Sequence, residues 1–346
     1  MHSRRRRVAT AWLLVWALAT GVGQACAQEE ASCLLVCWNV ENLFDPDSDA
    51  VNPDADFRPE APRHWTWSRL QAKCNAIGKA LVATGHEAEG AATDGPLLVG
   101  LCEVENDRVL RLLCRTAPLA RRNYRFLHHE SHDPRGSDVA LLYRPDRFRP
   151  LWHRPVDVCD SASHFFTRHL LQVVGVVDSR DTLALLVVHL PSRLGGATAD
   201  RHRRRICHAL DSLMQDMAAQ YPGATVLAMG DFNAGCDDPC LLRDLHLADR
   251  DAPYLDLMRQ LPHTTGSYKF HGHWDYIDHF ILRRPPDDGR QRLTPVAAPL
   301  TFRLPQLLTR DKSFGGQRPR RTYHGPAYQG GVSDHLPIGL VLTRQP

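Results

Sequence analysis

The 346-residue chain, 43% hydrophobic and 23% charged, is long enough to bury a sizeable core and to hold one large domain or two ordinary ones. Its formal net charge of +3 overstates its basicity, because Arg4 to Arg7 precede an apolar stretch, VATAWLLVWALATGVG, and an ACA tripeptide, the order of a secretory signal. Cleavage after Ala27 removes four arginines and no acid, leaving 38 Lys+Arg against 39 Asp+Glu, a net of −1, so global charge gives no support to a nucleic-acid partner.

The apolar stretch falls short of the roughly 20 residues a membrane span needs. Export with cleavage, to the periplasm or the exterior, is therefore expected over an uncleaved anchor, and residues 28–346 are expected to form a single domain. Lipidation at Cys26 is a third outcome, against which the preceding GQA is a poor lipoprotein match. Nine cysteines remain beyond Cys26, an odd number in a chain too large to need a disulfide framework. Cys33 and Cys37, about 13 Å apart at strand rise, cannot pair, whereas Cys236 and Cys240 in GCDDPC can. No pair of C-x-x-C elements exists, so buried thiols are expected for most of them.

SCLLVCWNV (32–40) reads as a strand ending at Asn39. An acidic, proline-containing loop (45–63) and a helix over about 67–84 lead to PLLVGLCEVEN (96–106), a buried strand that ends near Glu103. SDVALLYRP (137–145), HLLQVVGVVDS (169–179) and TLALLVVHL (182–190) continue the strand series, the last two as a hairpin. A helix over about 199–220 carries Ile206, Leu210, Leu213, Met214 and Met217 on one stripe. The apolar run Ala224 to Ala228 leads into GDFN (230–233), where strand alternation turns Asp231 and Asn233 to one side and Phe232 into the fold. YIDHFIL (276–282) and LPIGLVL (336–342) complete the series. Strand pairs mixed with helices predict an α+β or α/β layered domain.

The polar residues that end these apolar runs are Asn39, Glu103, His189, Asp231 with Asn233, Asp278, and Asp334 with His335. The set offers oxygen ligands and no thiolate, so its natural occupant is a hard cation, Mg²⁺ or Mn²⁺. It also has two histidines, suited to proton transfer near neutral pH. Each piece alone has another explanation: GDFN suits a turn, SDH a turn or helix cap, and a histidine after LLVV a satisfied core group. HH (128–129) and HGH (271–273) invite a zinc site, which the oxygen-rich set does not favour.

In order, WNVENLF (38–44), CEVEN (102–106), HLPSR (189–193), GDFN (230–233), IDHFIL (277–282) and SDHLPI (333–338) resemble the motif series of the endonuclease/exonuclease/phosphatase superfamily, over residues 33 to 342. PRGSDVALLYRPDRF (134–148) and YQGGVSDHLPI (328–338) look like its exported bacterial, deoxyribonuclease-like members. The resemblance implies a four-layered α/β sandwich, two mixed β-sheets packed face to face with helices outside, with the active site where strand ends converge. It implies Glu103 as the main metal ligand, Asn39 beside it as metal or phosphate contact, and Asp334 as a second carboxylate near the metal. It makes Asp231 the group that orients or deprotonates the attacking water, and Asn233 the amide that holds that water and a phosphate oxygen. His335 then lies beside the scissile phosphate with Asp278 fixing its tautomer. His189 is the candidate for protonating the leaving oxygen, oriented by Glu130, Asp133 or Asp138, and Arg193 is a candidate contact to substrate phosphate. Such a set performs phosphoryl transfer to water.

Arg201 and Arg203 to Arg205 cluster at the start of the second long helix, a place for a polyanion or a solvated basic face. RDKSFGGQRPRRTYHG (310–325) is expected to form a lip over the site, where Phe314 and Tyr323 would stack bases. The expectation is an exported metal-dependent phosphodiesterase acting on nucleic acid as a monomer, with no obligate protein partner. The alternatives are a phosphatase or phosphodiesterase for phospholipid head groups or small phosphoesters, and a non-catalytic binding module, against which the complete motif set argues.

Overall fold

The computed structural model describes residues 32–47, 56–88, 95–248 and 251–344, so the signal-like segment 1–27 lies outside the described residues. The first sheet opens with β1 (Cys33–Leu43) and β2 (Leu98–Val104), with α1 (Trp67–Glu87) between them in the chain. Helices α2 (Asp107–Cys114) and α3 (Ala117–Ala120) then precede β3 (Arg125–His128) and β4 (Asp138–Tyr143). The second sheet follows as β5 (Phe148–Val156), β6 (Leu170–Val177), β7 (Asp181–His189) and, after α4 (Gly196–Gln220), β8 (Thr225–Asp231) and β9 (Tyr254–Asp256). A hairpin of β10 (Tyr268–Phe270) and β11 (His273–Asp275) leads to β12 (Asp278–Arg283), which returns to that sheet. Next come β13 (Leu293–Pro295) and β14 (Leu300–Thr301), then two small hairpins, β15 (Leu308–Arg310) with β16 (Gln317–Pro319) and β17 (Tyr323–His324) with β18 (Ala327–Tyr328). The last strand, β19 (Ile338–Arg344), lies beside β1.

The strand orders are β13-β19-β1-β2-β4-β3, with β14 also on β19, and β5-β6-β7-β8-β12-β9. Each sheet is mixed, because β1 with β2 and β7 with β8 run parallel among antiparallel neighbours. The predicted hairpin of β6 and β7 is present, in the register Val177 with Asp181.

Period-two alternation sorts the strand residues into three cores. On β1, Leu34, Val36 and Trp38 pack outward against Leu70, Cys74 and Ile77 of α1, while Cys33, Leu35 and Cys37 face the second sheet. Leu183, Leu185 and Val187 of β7 and Leu227 and Met229 of β8 meet them in the middle core. The other faces of β7 and β8 pack on Ile206, Leu210, Met214 and Met217 of α4. The molecule is thus layered helix, sheet, sheet, helix, the four-layered α/β sandwich. Strands covered on both faces read as unbroken apolar runs, which is why the sequence showed them. Both helix starts are local: Thr66 Oγ1 accepts from the Arg69 N–H ahead of α1, and Asn106, the last residue of CEVEN, accepts from Arg108 and Val109 N–H groups ahead of α2.

Three sequence expectations change. All nine described cysteines are free thiols, and Cys240 turns to Cys207 of α4 rather than to Cys236. α4 starts at Gly196, so its arginines occupy later turns, where Arg203 pairs with Asp200, Arg204 with Asp244 at 3.0 Å and Arg205 with Asp160 at 2.7 Å. Those partners neutralise three of the four arginines, while Arg201 donates to Thr198 Oγ1 at 3.1 Å, and this weakens the polyanion alternative. Tyr323 is buried against Phe57 and Trp65 rather than displayed for stacking.

Candidate active site

The residues that face inward on the strands of the middle core are apolar until the last position, where they become polar. In the second sheet the register aligns three such ends, His189 opposite Asp231 and Asp231 opposite Asp278. His189 follows Val187 in the inward column, Asp231 follows Met229, and Asp278 precedes Phe280, so all three side chains point into the same rim. In the first sheet Asn39 continues the inward column of β1, after Leu35 and Cys37, and Glu103 enters through an irregularity. The pairing of β1 with β2 slips between Asn39 and Leu43, and that of β2 with β4 slips at Cys102 to Val104.

Within these slips Glu41, Asn42 and Glu103 take φ values of +50°, +53° and +63°, and Asn233 takes +49°. Left-handed non-glycine backbone is costly and collects where surrounding structure enforces it for a function. Here the bulge turns Glu103 out of the strand pattern and toward the rim.

Asn39 joins the two sheets: its Nδ2 donates to Glu103 Oε1 at 3.2 Å and to Asp231 Oδ2 at 2.9 Å. Its Oδ1 accepts from the Glu41 N–H at 3.0 Å, and the Asn42 N–H donates to Glu103 Oε2 at 2.9 Å. His335 arrives on the loop before β19, fastened from three sides. Its N–H donates to Ser333 Oγ, which donates to the Asn39 carbonyl at 2.6 Å, and Trp38 Nε1 donates to the His335 carbonyl at 3.0 Å. Its ring Nδ1 lies 2.8 Å from Asp278 Oδ2, which also accepts from Ser267 Oγ at 2.6 Å. The Nε2 atoms of His335 and His189 lie 3.8 and 3.6 Å from the same oxygen, Asp231 Oδ2.

Burial and charge give the two histidines opposite states. Burial disfavours the cation of both, and at His189 the nearby Arg168 adds to it, holding the pKa well below the ordinary value. At His335 the carboxylates of Asp278 and Asp231 outweigh burial and hold the pKa well above it. Burial pushes the Asp231 carboxyl up to about 7, with His335 opposing the shift and Asp278 reinforcing it.

Asn233 departs from the alternation expected of it. β8 ends at Asp231 and the chain turns left-handed at Asn233, so the Asn233 N–H, not its side chain, meets Asp231 Oδ1 at 2.8 Å. The Asn233 amide donates to the Leu190 carbonyl at 2.9 Å. Asp334 is committed to Arg321 at 3.0 Å, and Arg321 also reaches Glu41 at 3.1 Å. Arg193, half exposed, donates to the Asn233 carbonyl at 2.9 Å and edges a cleft of about 300 Å³ lined also by Trp274, Asp275 and Tyr276. Of the acids considered for orienting His189, Asp133 is paired with Arg168 at 3.0 Å and Asp138 lies 3.5 Å from His128. The buried Nδ1 of His189 has no hydrogen-bond partner.

The rim fits a hard divalent cation. Glu103 and Asp231 present carboxylate oxygens on either side of the Asn39 amide. The donors are oxygen-rich with no thiolate, and a cation there would relieve the cost of a buried Asp231 charge.

Several supporting residues carried no sequence signal. Arg168, fully buried, donates from Nε to the His189 carbonyl at 2.8 Å and from Nη2 to the Leu190 carbonyl at 3.3 Å, holding the end of β7. At the start of the β10–β11 hairpin, Ser267 buttresses Asp278, and the Tyr268 ring lies 4.9 Å from the ring of His335. Glu41 was visible inside WNVENLF. Its carbonyl accepts from the buried Lys73, and burial beside Asp334 pushes its carboxyl up to about 7.

The sequence profile of the endonuclease/exonuclease/phosphatase family matches residues 34–344. No curated protein sequence matches the chain significantly. Among solved structures the fold is similar to D. rerio TDP2 complexed with a single strand DNA product, at 16% identity over 91% of this chain and 100% of that one, with TM-score 0.55. It is also similar to an endonuclease/exonuclease/phosphatase family protein from Bacteroides thetaiotaomicron, at 13% identity over 92% and 99% of the two chains and TM-score 0.55. The human Nocturnin catalytic domain with bound sulfate anion matches at 16% identity over 91% and 94%, with TM-score 0.53. With its profile match spanning nearly every strand of both sheets, the chain belongs to the endonuclease/exonuclease/phosphatase family, and its general chemistry is phosphoester hydrolysis.

Proposed function

We propose that this protein is an exported, Mg²⁺- or Mn²⁺-dependent phosphodiesterase that cleaves nucleic acid, with single strands as its preferred form. The observation that carries the catalytic part is the meeting of Glu103 and Asn39 from one sheet with Asp231 from the other, flanked by the Nε2 atoms of His189 and His335. A bound divalent cation would supply charge neutralisation at the phosphate and would be held by Glu103, with Asn39 adding its oxygen if the amide turns over. Asp231, 3.6 and 3.8 Å from the Nε2 atoms of His189 and His335, is suited to orient the attacking water and to accept its proton. His335, held protonated by Asp278, is suited to bind a phosphate oxygen and to deliver a proton. His189, whose pKa burial and Arg168 hold low, is suited to hydrogen-bond the leaving oxygen. Arg193 at the mouth of the cleft is suited to contact substrate phosphate.

Support for nucleic acid comes from a row of rings leading away from His335. Tyr268, Phe270, His271 and Phe314 follow one another with centroid separations of 6.5, 4.1 and 5.7 Å and interplanar angles of 14° to 18°. Phe270 and Phe314 are 55% and 58% exposed, and Lys269 ties the two hairpins together through Asp311 at 2.8 Å. Exposed parallel rings beside a phosphoester site offer faces on which unpaired bases stack. The single strand DNA product bound by D. rerio TDP2 agrees with this direction. Export rests on the signal-like residues 1–27.

The test is hydrolysis by the purified mature chain of single-stranded DNA, duplex DNA, RNA, sphingomyelin, inositol phosphates and bis-p-nitrophenyl phosphate, with Mg²⁺, Mn²⁺ or EDTA. Metal-dependent cleavage favouring single strands is expected. Turnover confined to lipid head groups or small phosphoesters would contradict the substrate assignment, and silence on all of them would contradict the enzyme assignment.

A further inference from the structure

A second group of ligand-type side chains lies at the surface and shares no residue with the carboxylate rim. His132 is on the loop between β3 and β4, Asp157 directly follows β5, and His169 directly precedes β6. Their ligand atoms fall within 4.8 Å of one another. His169 Nε2 is 4.0 Å from Asp157 Oδ1, and the rings of His132 and His169 meet edge to face at 5.7 Å. The position of Asp157 is partly fixed, because its Oδ1 accepts from the Cys159 N–H at 2.8 Å. The buried Nδ1 of His169 has no hydrogen-bond partner, so no competing acceptor holds that ring. His132 and Asp157 are exposed, and side chains of that kind can close the remaining distance around an ion.

Two imidazoles and one carboxylate are the donors of a zinc site with an open fourth position for water, and they suit borderline cations over Mg²⁺. We propose that His132, Asp157 and His169 form a surface binding site for a divalent transition-metal ion of the Zn²⁺ type, distinct from the oxygen-rich rim. The site has a mechanical consequence. His132 and His169 are the chain neighbours of Asp133 and Arg168, the buried ion pair at 3.0 Å whose arginine supports the carbonyls of His189 and Leu190. An ion here clamps the same two segments from outside and stabilises the end of β7.

The proposal is independent of the reading of the rim, since none of its three residues belongs there. It is tested on the full mature chain in saturating Mg²⁺, which keeps the oxygen-rich rim supplied with a hard ion, by calorimetric titration with Zn²⁺ and by absorption spectroscopy with Co²⁺. The wild type is expected to bind one equivalent of Zn²⁺ that His132→Ala loses and Glu103→Gln keeps. His132→Cys is expected to recover the equivalent and to add a thiolate-to-cobalt charge-transfer band beyond any the wild type shows. Because His132 is exposed, these substitutions leave the fold intact, and circular dichroism checks that. Zn²⁺ binding by His132→Ala equal to wild type would overturn the proposal. So would loss of the equivalent in His153→Ala instead, which would place the ion on the neighbouring pair His129 and His153, 2.9 Å apart.

Discussion

The two sheets end at the same rim but bring different chemistry to it. The first sheet delivers Asn39 and Glu103 through a slipped, left-handed stretch of backbone, and the contribution proposed for it is oxygen for a cation. The second delivers His189, Asp231 and Asp278 through regular pairing in a single register row, and the contribution proposed for it is to hold and complete, around His335 from the loop ahead of β19, a proton-handling set. Regular pairing suffices where side chains need only continue the inward column. A bulge is needed where a carboxylate must leave that column to reach across the gap between sheets.

Predictions follow this division, from the largest effect to the smallest. His335→Ala removes the protonated group and is expected to lower kcat by roughly 10²- to 10⁴-fold, measured on single-stranded DNA with Mg²⁺ in excess; Mg²⁺ affinity is expected to stay near wild type. Glu103→Gln strikes the proposed cation ligand, so its signature is metal dependence. Outer partners of metal ligands are each worth about 10- to 100-fold in affinity, and loss of a direct ligand is expected to shift the Mg²⁺ midpoint of activity by at least about a hundredfold. If instead Glu103→Gln left that midpoint unchanged while His335→Ala moved it, the assignment of cation binding to Glu103 and proton handling to His335 would be reversed.

Substrate contacts sharpen the comparison further. With a stacked base worth about 1–3 kcal/mol, the double substitution Phe270→Ala with Phe314→Ala is expected to raise KM for single-stranded DNA by at least about tenfold. Turnover of bis-p-nitrophenyl phosphate, which has no base to stack, is expected to be unaffected. Steady-state kinetics on the two substrates separates these outcomes.

The smallest effect concerns stability. His279, on β12 next to Asp278, is wholly buried with Nδ1 at 3.1 Å from Asp256 and Nε2 at 2.8 Å from the Ala234 carbonyl. Burial works against its cation, but Asp256 outweighs it and raises the pKa from 6.5 to about 9. A pKa raised on folding gives stability that is complete below the unfolded value and lost as pH rises through the folded one. Tm of the metal-free chain is therefore expected to fall as pH rises from 6.5 to about 9, and less steeply in His279→Gln. Parallel curves would show that the pair does not titrate in that window.

How much of this was legible in the sequence depended on whether a residue sat on a long strand. Val36, Leu185 and Met229 lie on strands covered on both faces, so their runs were unmistakable, and the polar residues ending those runs marked Asn39, His189 and Asp231 as neighbours at a rim. Glu103 was placed by its motif, but the left-handed bulge that turns it was not readable, since glutamate carries no preference for such backbone. Asn233 was assigned by strand alternation that stops two residues earlier, because the chain breaks from β8 at Asp231. Arg168, Ser267 and Tyr268 act from strand starts and hairpin edges with no periodicity to expose them. Tyr323 and Phe314 lie in the same basic segment, and only the three-dimensional packing tells the buried ring from the exposed one.

The central claim is that Glu103 and His335, the latter held by Asp278, serve one reaction at one phosphate. Its most direct test is a double-mutant cycle on single-stranded DNA cleavage with Glu103→Gln, His335→Ala and the combined variant, at saturating Mg²⁺. Groups that act as a unit are strongly non-additive, so the combined variant is predicted to be no more than severalfold slower than the worse single one. Losses that multiply in full would contradict the account, placing Glu103 and His335 in independent roles.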